Sequence, residues 1–304
     1  MANSPADYHA PVLLREVLTA ASGARRVVDA TLGDGGHAGA FLQLGAEVLG
    51  IDRDPEALRR ARLRFSGMPL TCSRGPFDDP AHLEAVRGFR PDFILMDLGV
   101  SSRQLDDPSL GFSFRPGVML DMRMDREGET AADLLNYWPE TALERVFREY
   151  GDERRARRLA AEVVRRRARQ PFATSDDLVG AIRAVLGPRS GPAEFARLFQ
   201  AVRIGVNREL ERLAAVLPLF RDALVPGGAL AVISYHSGED RVVKHAFHEW
   251  ARSCVCPPEL PVCQCRGRPL GAEEPRRPIV PTEEEIRANP RARSARMRVF
   301  RVTP

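Results

Sequence analysis

No stretch of the 304-residue chain stays apolar for the roughly 20 residues that a helix needs to cross a bilayer, which excludes a helical membrane span. The opening residues, Met1 to Asp7, hold neither the basic segment nor the apolar one of a secretion signal, so export is not expected and the cytoplasm is the expected compartment. In such a compartment the five cysteines (Cys72, Cys254, Cys256, Cys263 and Cys265) read as reduced thiols or metal ligands, not as a disulfide framework. Lysine is almost missing. Lys244 is the sole one, and the basic side of a net charge of +4 is otherwise arginine, whose planar fork suits phosphate oxygens. What remains, at 44% hydrophobic and 28% charged residues, is a globular chain long enough to bury a sizeable core.

One segment carries more than composition does. Val27-Val28-Asp29-Ala30-Thr31-Leu32-Gly33-Asp34-Gly35-Gly36-His37, followed by Val48-Leu49-Gly50-Ile51-Asp52, reads as two strands flanking a glycine turn. The glycines let the backbone approach a ligand, and the second strand delivers Asp52, suited to take both hydroxyls of a ribose. Nicotinamide enzymes share this turn and the downstream acid, but their glycines follow the strand at once. Here Asp29 closes the strand first. A carboxylate at that mouth attracts a cationic methionine group and repels a pyrophosphate, so S-adenosylmethionine fits the order better than a dinucleotide.

Spacing predicts an interrupted α/β domain. A helix begins at Pro55, a further strand is expected at Phe93 to Asp97, and the next clear strand is Ala229 to Ser234. The 131 residues between Asp97 and Ala229 exceed by roughly 100 what a strand-helix-strand crossover needs, which implies an inserted domain. Its patterns are helical: Ala131 to Leu135, Glu140 to Tyr150, Arg154 to Arg167, Ser175 to Leu186 with Ser175 as cap, and Ala193 onward. The return passes through Asn207 to Leu224, where Pro218 is expected to split the helix, and Pro226-Gly227-Gly228 turns into the strand.

From Arg145 to Arg169, ten arginines stand against Glu149, Asp152, Glu153 and Glu162, while Ala156, Leu159, Ala160 and Val163 recur at helical spacing. One face packs and the other is strongly positive. Such runs are often only solvated helix faces, but a second cluster at Arg291, Arg293, Arg296, Arg298 and Arg301 favours a polyanionic partner.

Further motifs carry a family resemblance: Arg74-Gly75-Pro76-Phe77, Asp97-Leu98-Gly99-Val100-Ser101-Ser102-Arg103-Gln104-Leu105-Asp106, Gly111-Phe112-Ser113-Phe114, Leu120-Asp121-Met122-Arg123-Met124-Asp125, Phe199-Gln200-Ala201-Val202-Arg203-Ile204, Ile233-Ser234-Tyr235-His236-Ser237-Gly238-Glu239-Asp240-Arg241 and Asn289-Pro290-Arg291-Ala292-Arg293-Ser294. With the glycine turn they resemble, over nearly the whole chain, the bacterial ribosomal RNA small-subunit methyltransferase H family, also called MraW. Gly117-Val118-Met119 and Gly238 depart from the family's usual residues. The resemblance implies a Rossmann-like class I methyltransferase sheet with an inserted all-helical domain. Residues 1–106 and 201–304 form its two methyltransferase parts in this reading, and residues 107–200 a helical insert for RNA or ribosome recognition.

It also implies methyl transfer from S-adenosylmethionine to N4 of a cytidine in the decoding region of 16S ribosomal RNA, with the small ribosomal subunit as the expected partner. Matching positions put the cofactor contacts at Gly35, Gly36, His37, Asp52, Phe77, Asp97 and Gln104. The chemistry selects Asp97 as catalytic, because a carboxylate can orient the cytosine amine and accept its proton; His236 is the second candidate, as a proton relay or phosphate contact. Tyr235, Phe112 and Phe114 are the aromatics available to stack on the base. Two other readings remain: a catalytically silent ribosome-binding assembly factor on the same fold, and a nicotinamide oxidoreductase. The expected site includes no catalytic metal, although the pairs Cys254-Val255-Cys256 and Cys263-Gln264-Cys265 are a possible zinc set.

Overall fold

The computed structural model describes residues 11–99, 107–257, 262 and 264–304. Ser101, Ser102, Gln104 and Cys263 lie outside these residues. The chain divides into two compact units, Met1–Gly99 with Glu211–Pro304 and Val100–Leu210. No described helix is long and apolar enough to cross a membrane.

The first unit opens with α1 (Leu14–Ala20), β1 (Arg26–Asp29), α2 (Gly36–Gln43), β2 (Glu47–Asp52), α3 (Pro55–Arg64), β3 (Leu70–Arg74), α4 (Pro80–Phe89) and β4 (Phe93–Asp97). β1, β2 and β4 are buried runs of valine, leucine, isoleucine and phenylalanine, the composition of parallel strands covered on both faces. Helix starts are written locally: Asp54 and Asp79 accept from the backbone N–H groups of Glu56 and Ala81, each with proline as the next residue.

The second unit contributes α5 (Ala131–Tyr137), α6 (Glu140–Arg145), a π-helical turn at Val146–Tyr150, α7 (Ala156–Arg167), α8 (Ser175–Leu186) and α9 (Pro192–Asn207). α9 is unbroken across residues 200 and 201, where the sequence predicts a domain boundary. Leu134, Phe147, Leu159, Val163, Leu178 and Leu198 meet in a core of its own. Thr174, not Ser175, precedes α8, and its N–H donates to the Asp177 carboxylate at 2.9 Å. The Ser175 hydroxyl is buried and satisfies the Arg115 carbonyl at 2.6 Å, which is why it does not cap. Asn207 is this unit's polar bolt. Its side chain accepts from Met124 N–H at 3.0 Å and donates to the Met122 and Arg203 carbonyls at 2.8 and 2.9 Å.

The chain completes the sheet through α10 (Glu209–Ala223), β5 (Ala229–Ser234), α11 (Ser237–Ala251), β6 (Gly271–Glu273), α12 (Glu283–Ala288) and β7 (Arg296–Val302). α10 continues through Pro218, contrary to the expected split. Leu213, Val216, Leu217 and Phe220 on both sides of the proline are buried in one cluster, and this packing outweighs a proline cost of about 3 kcal/mol.

Strand order is β3-β2-β1-β4-β5-β7-β6, with β1 to β5 parallel and β7 antiparallel to both its neighbours. This is the Rossmann-like sheet that the resemblance implies. The order reverses between β1 and β4, and in such sheets ligands bind at the carboxyl ends of the strands beside the reversal.

β7 corrects the reading of the second arginine cluster. Arg298 is buried and binds Asp240 at 2.6 Å, with Glu273 at 3.7 Å, while Arg301 pairs with Glu274 at 2.7 Å. These two guanidiniums hold the sheet edge together and are not offered to a polyanion.

Replacing Asn207 by alanine removes three side-chain hydrogen bonds to backbone groups at once, the one to Met122 buried. We expect Asn207→Ala to lower the unfolding free energy by about 2 to 3 kcal/mol. Urea titration followed by circular dichroism measures it, and an unchanged midpoint would show that water replaces the amide at no cost.

Candidate active site

Strand register decides which side chains share a face. Asp29 pairs with Gly50 of β2 and with Leu95 of β4, while Asp52 and Asp97 each lie two residues beyond those partners. Since side chains alternate with period two, Asp29, Asp52 and Asp97 all point to one face of the sheet at its carboxyl edge. Among the described residues none of the three has an arginine or lysine within ion-pair reach.

The glycine turn is laced to this edge. Gly33 N–H donates to Asp52 Oδ2 at 2.6 Å, Leu32 N–H to the Ile51 carbonyl at 2.9 Å, and Asp54 N–H to Asp52 Oδ1 at 2.8 Å. Asp52 thus organises the turn and retains lone pairs for a ligand. Arg60 holds Asp34 of the turn at 2.6 Å. Gly35 precedes α2 at φ +75°, and a Cβ there would stand 2.6 Å from the Phe65 ring, so both backbone angle and space demand glycine. Gly36 opens the helix against Pro11.

His37, in the first turn of α2, is buried among these groups. Its Nε2 lies 2.9 Å from the Val12 carbonyl and its Nδ1 3.7 Å from Asp97 Oδ2. Burial lowers its pKa, opposed by the charge of Asp29 and by the hydrogen bond in which Nε2–H donates to the Val12 carbonyl. Phe77 follows β3 and packs against the buried cluster on the α4 side, with the Arg53 guanidinium 6.0 Å from its ring centroid.

Asp97 is held from two sides. Its N–H donates to Thr31 Oγ1 at 2.7 Å, and its Oδ1 accepts from the Tyr235 hydroxyl at 2.8 Å. Desolvation pushes its carboxyl up to about 7 against the lowering effect of the tyrosine hydrogen bond. Asp29, 1% exposed, is pushed up to about 6 by the same desolvation, which the charge of His37 opposes. Burial also raises Asp52, opposed by the backbone N–H groups it accepts from. The Tyr235 phenol is pushed upward by its own burial and by the charge of Asp97, and it remains a donor.

His236 sits beside Tyr235 and acts as the N-cap of α11. Its Nδ1 accepts from Glu239 N–H at 3.3 Å, while its Nε2 lies 3.2 Å from Glu239 Oε1 without hydrogen-bonding alignment. Glu239 in turn accepts from Tyr235 N–H at 2.8 Å, which fixes the tyrosine that grips Asp97.

The sequence does not foretell the grips of Thr31 and Tyr235 on Asp97, or the role of Glu239. Thr31 stands in the glycine-turn segment, two residues after Asp29, but its partner is 66 residues away. Two of the aromatics expected to stack on a base belong instead to the core of the helical unit: Phe112 is buried, and the Phe114 ring is 6.0 and 6.1 Å from those of Phe195 and Phe199.

The family model described as the MraW methylase family matches residues 6–303. A protein of Gemmatimonas aurantiaca named Ribosomal RNA small subunit methyltransferase H is 56% identical over 300 residues, 97% of this chain and 95% of that protein. One of the same name from Rubrobacter xylanophilus is 48% identical over 305 residues, 97% of this chain and 96% of its own. A solved structure of a putative rRNA-methylase from Clostridium thermocellum aligns at 12% identity over 97% of this chain and 100% of that one, with a TM-score of 0.40.

The raised carboxyls make ligand-free stability depend on pH. Folding favours the protonated forms, so their contribution is complete below the ordinary value of 3.8 and is lost as pH rises through about 6 for Asp29 and about 7 for Asp97. Asp29→Asn cannot ionise, and its urea midpoint should fall less steeply than wild type between about pH 4 and 8. Parallel profiles for the two proteins would show that Asp29 ionises normally.

Proposed function

This chain belongs to the MraW methylase family, and on that premise we propose that it transfers a methyl group from S-adenosylmethionine to N4 of a cytidine in the decoding region of 16S ribosomal RNA. Asp97 carries the reading: a strand-end carboxylate gripped by Tyr235 and raised to about 7. Cytosine N4 is a poor nucleophile because its lone pair is delocalised into the ring. An enzyme must therefore hold the amine in line and receive its proton. Ionised Asp97 can accept an N4 hydrogen bond while Tyr235 holds its other oxygen, and a pKa near neutral suits a group that must be both deprotonated before the step and protonated after it.

The donor set fits the cofactor. Buried carboxylates with no arginine or lysine in ion-pair reach among the described residues are what a cationic ligand neutralises, and a sulfonium beside Asp29 and Asp97 would favour their ionised forms. When bound, S-adenosylmethionine supplies an electrophilic methyl carbon on that sulfonium. In this reading Asp52 accepts from the ribose hydroxyls, the backbone from Gly35 to His37 borders the methionine group, and Phe77 covers the adenine. Gln104 is assigned to the methionine end by its matching position alone. His236 is proposed as relay for the released proton or as a phosphate contact.

Residues 107–200 are proposed to contact RNA within the small subunit. α7 supports this: it buries Ala156, Leu159, Ala160 and Val163 while Arg154, Arg155, Arg157 and Arg158 before and within its first turn stay exposed, Arg155 also donating to the Val185 carbonyl at 2.9 Å. The later arginines are spent inside the unit, Arg165 and Arg166 on Glu162 and Arg167 on the Leu135 and Trp138 carbonyls.

Two experiments test the assignment. Asp97→Asn keeps the shape but loses the charge and the proton acceptor, so single-turnover methyl transfer to subunits lacking the mark should fall by about 10²- to 10⁴-fold at saturating cofactor and substrate. Wild-type transfer by the saturated variant would remove Asp97 from the chemistry. Neutralising Arg154, Arg155, Arg157 and Arg158 together should weaken subunit binding and flatten its salt dependence, the log–log slope falling by about 0.9 for each phosphate that the helix no longer neutralises. Identical salt titrations for variant and wild type would return the helix to an ordinary solvated face.

A further inference from the structure

The loop from residue 252 to 270, between α11 and β6, brings cysteines together that the methyl-transfer reading does not use. Sγ atoms of Cys254, Cys256 and Cys265 all lie within 4.8 Å of one another, with Cys254 and Cys265 at 3.8 Å. A disulfide needs about 2.05 Å between its sulfurs, whereas thiolates bound about 2.3 Å from a tetrahedral zinc stand about 3.8 Å apart.

The backbone around the sulfurs supplies a second, independent sign. Val255, between the first two cysteines, donates its N–H to Cys265 Sγ at 3.3 Å, and Gln264 donates its N–H to Cys256 Sγ at 3.3 Å. Each Cys-X-Cys segment thus points a backbone donor at a sulfur of the other. Such N–H groups stabilise thiolates over thiols and orient them, the office that outer-shell donors perform around metal-bound ligands.

We propose that Cys254, Cys256 and Cys265 bind a Zn²⁺ ion that clamps this loop. All-sulfur ligation suits zinc, and the three thiolates leave one position of a tetrahedral ion to a further ligand. The thiols release their protons to solvent on binding. A fourth sulfur is available in the sequence at Cys263, which lies outside the described residues.

Position agrees with a structural role. α11 starts just past the carboxyl end of β5 and runs back, so its last residues lie at the sheet edge opposite Asp97. There Leu270 N–H donates to the Trp250 carbonyl at 2.9 Å, and Gly271 pairs with Val302 beside the start of β5. Arg266, next to Cys265, binds Glu249 at 3.0 Å and the Arg252 carbonyl at 3.1 Å, so both ends of the loop are anchored before a metal is added.

The test uses the full-length chain without a histidine tag, purified under reductant. Elemental analysis should find about one zinc per chain, and replacement by Co²⁺ should produce thiolate-to-cobalt charge-transfer absorption with the intense d–d bands of a tetrahedral site. Cys254→Ser and Cys265→Ser should each lose the metal. Should the variants not fold, titrating the wild-type protein with an organomercurial should release zinc in step with modification of Cys254, Cys256 and Cys265, mapped by mass spectrometry. A metal-free chain that takes up neither Zn²⁺ nor Co²⁺ would overturn the proposal. So would full zinc retention by the folded Cys254→Ser/Cys265→Ser double variant, or zinc release independent of these thiols.

Discussion

Three acids on one face of one sheet edge, with no arginine or lysine among the described residues to pair them, set the terms for the rest of the first unit. Ionising buried carboxylates beside one another is unfavourable, and Asp29 and Asp97 meet that cost by holding their protons up to about 6 and 7. A fold selected for stability alone would put apolar side chains there. Such an edge makes sense as half of an electrostatic pair whose other half is a cationic ligand, with the parallel strands and their covering helices supplying the stability that the edge gives up.

Preorganisation follows from how the acids are held. Asp52 accepts two backbone N–H groups and so shapes the turn that borders it, while Thr31 and Tyr235 fix Asp97 from neighbouring strands. Glu239 steadies the tyrosine in turn. Each group that could touch a ligand is positioned by a second group rooted in sheet or helix, the arrangement that lets charge be stabilised without rearrangement during a reaction.

Arginine serves three purposes that look alike in the sequence. Arg298 closes the sheet edge through a buried bond to Asp240, Arg167 ties helices of the second unit through carbonyls, and Arg157 and Arg158 lie exposed on α7. Lysine would do the first two poorly, because its compact ammonium lacks the fork that binds a carboxylate or two carbonyls at once. Net charge therefore overstates what is available to a polyanion.

The sequence by itself determined the strands β1, β2, β4 and β5, the glycine turn with its flanking acids, the helical insert and the family, because these rest on local signals: apolar runs, proline and aspartate at helix starts, and motifs read in order. It also marked Asp52 and Asp97 as strand-end acids. It did not reveal that Tyr235 grips Asp97 across 138 residues, that Arg298 is buried, that α10 runs through Pro218, or that Phe114 packs against Phe195 and Phe199. Those outcomes depend on which strands pair and in what register. A shift of one residue between β4 and β5 would turn Asp97 and Tyr235 to opposite faces, and only the assembled sheet and helix cores could decide the rest.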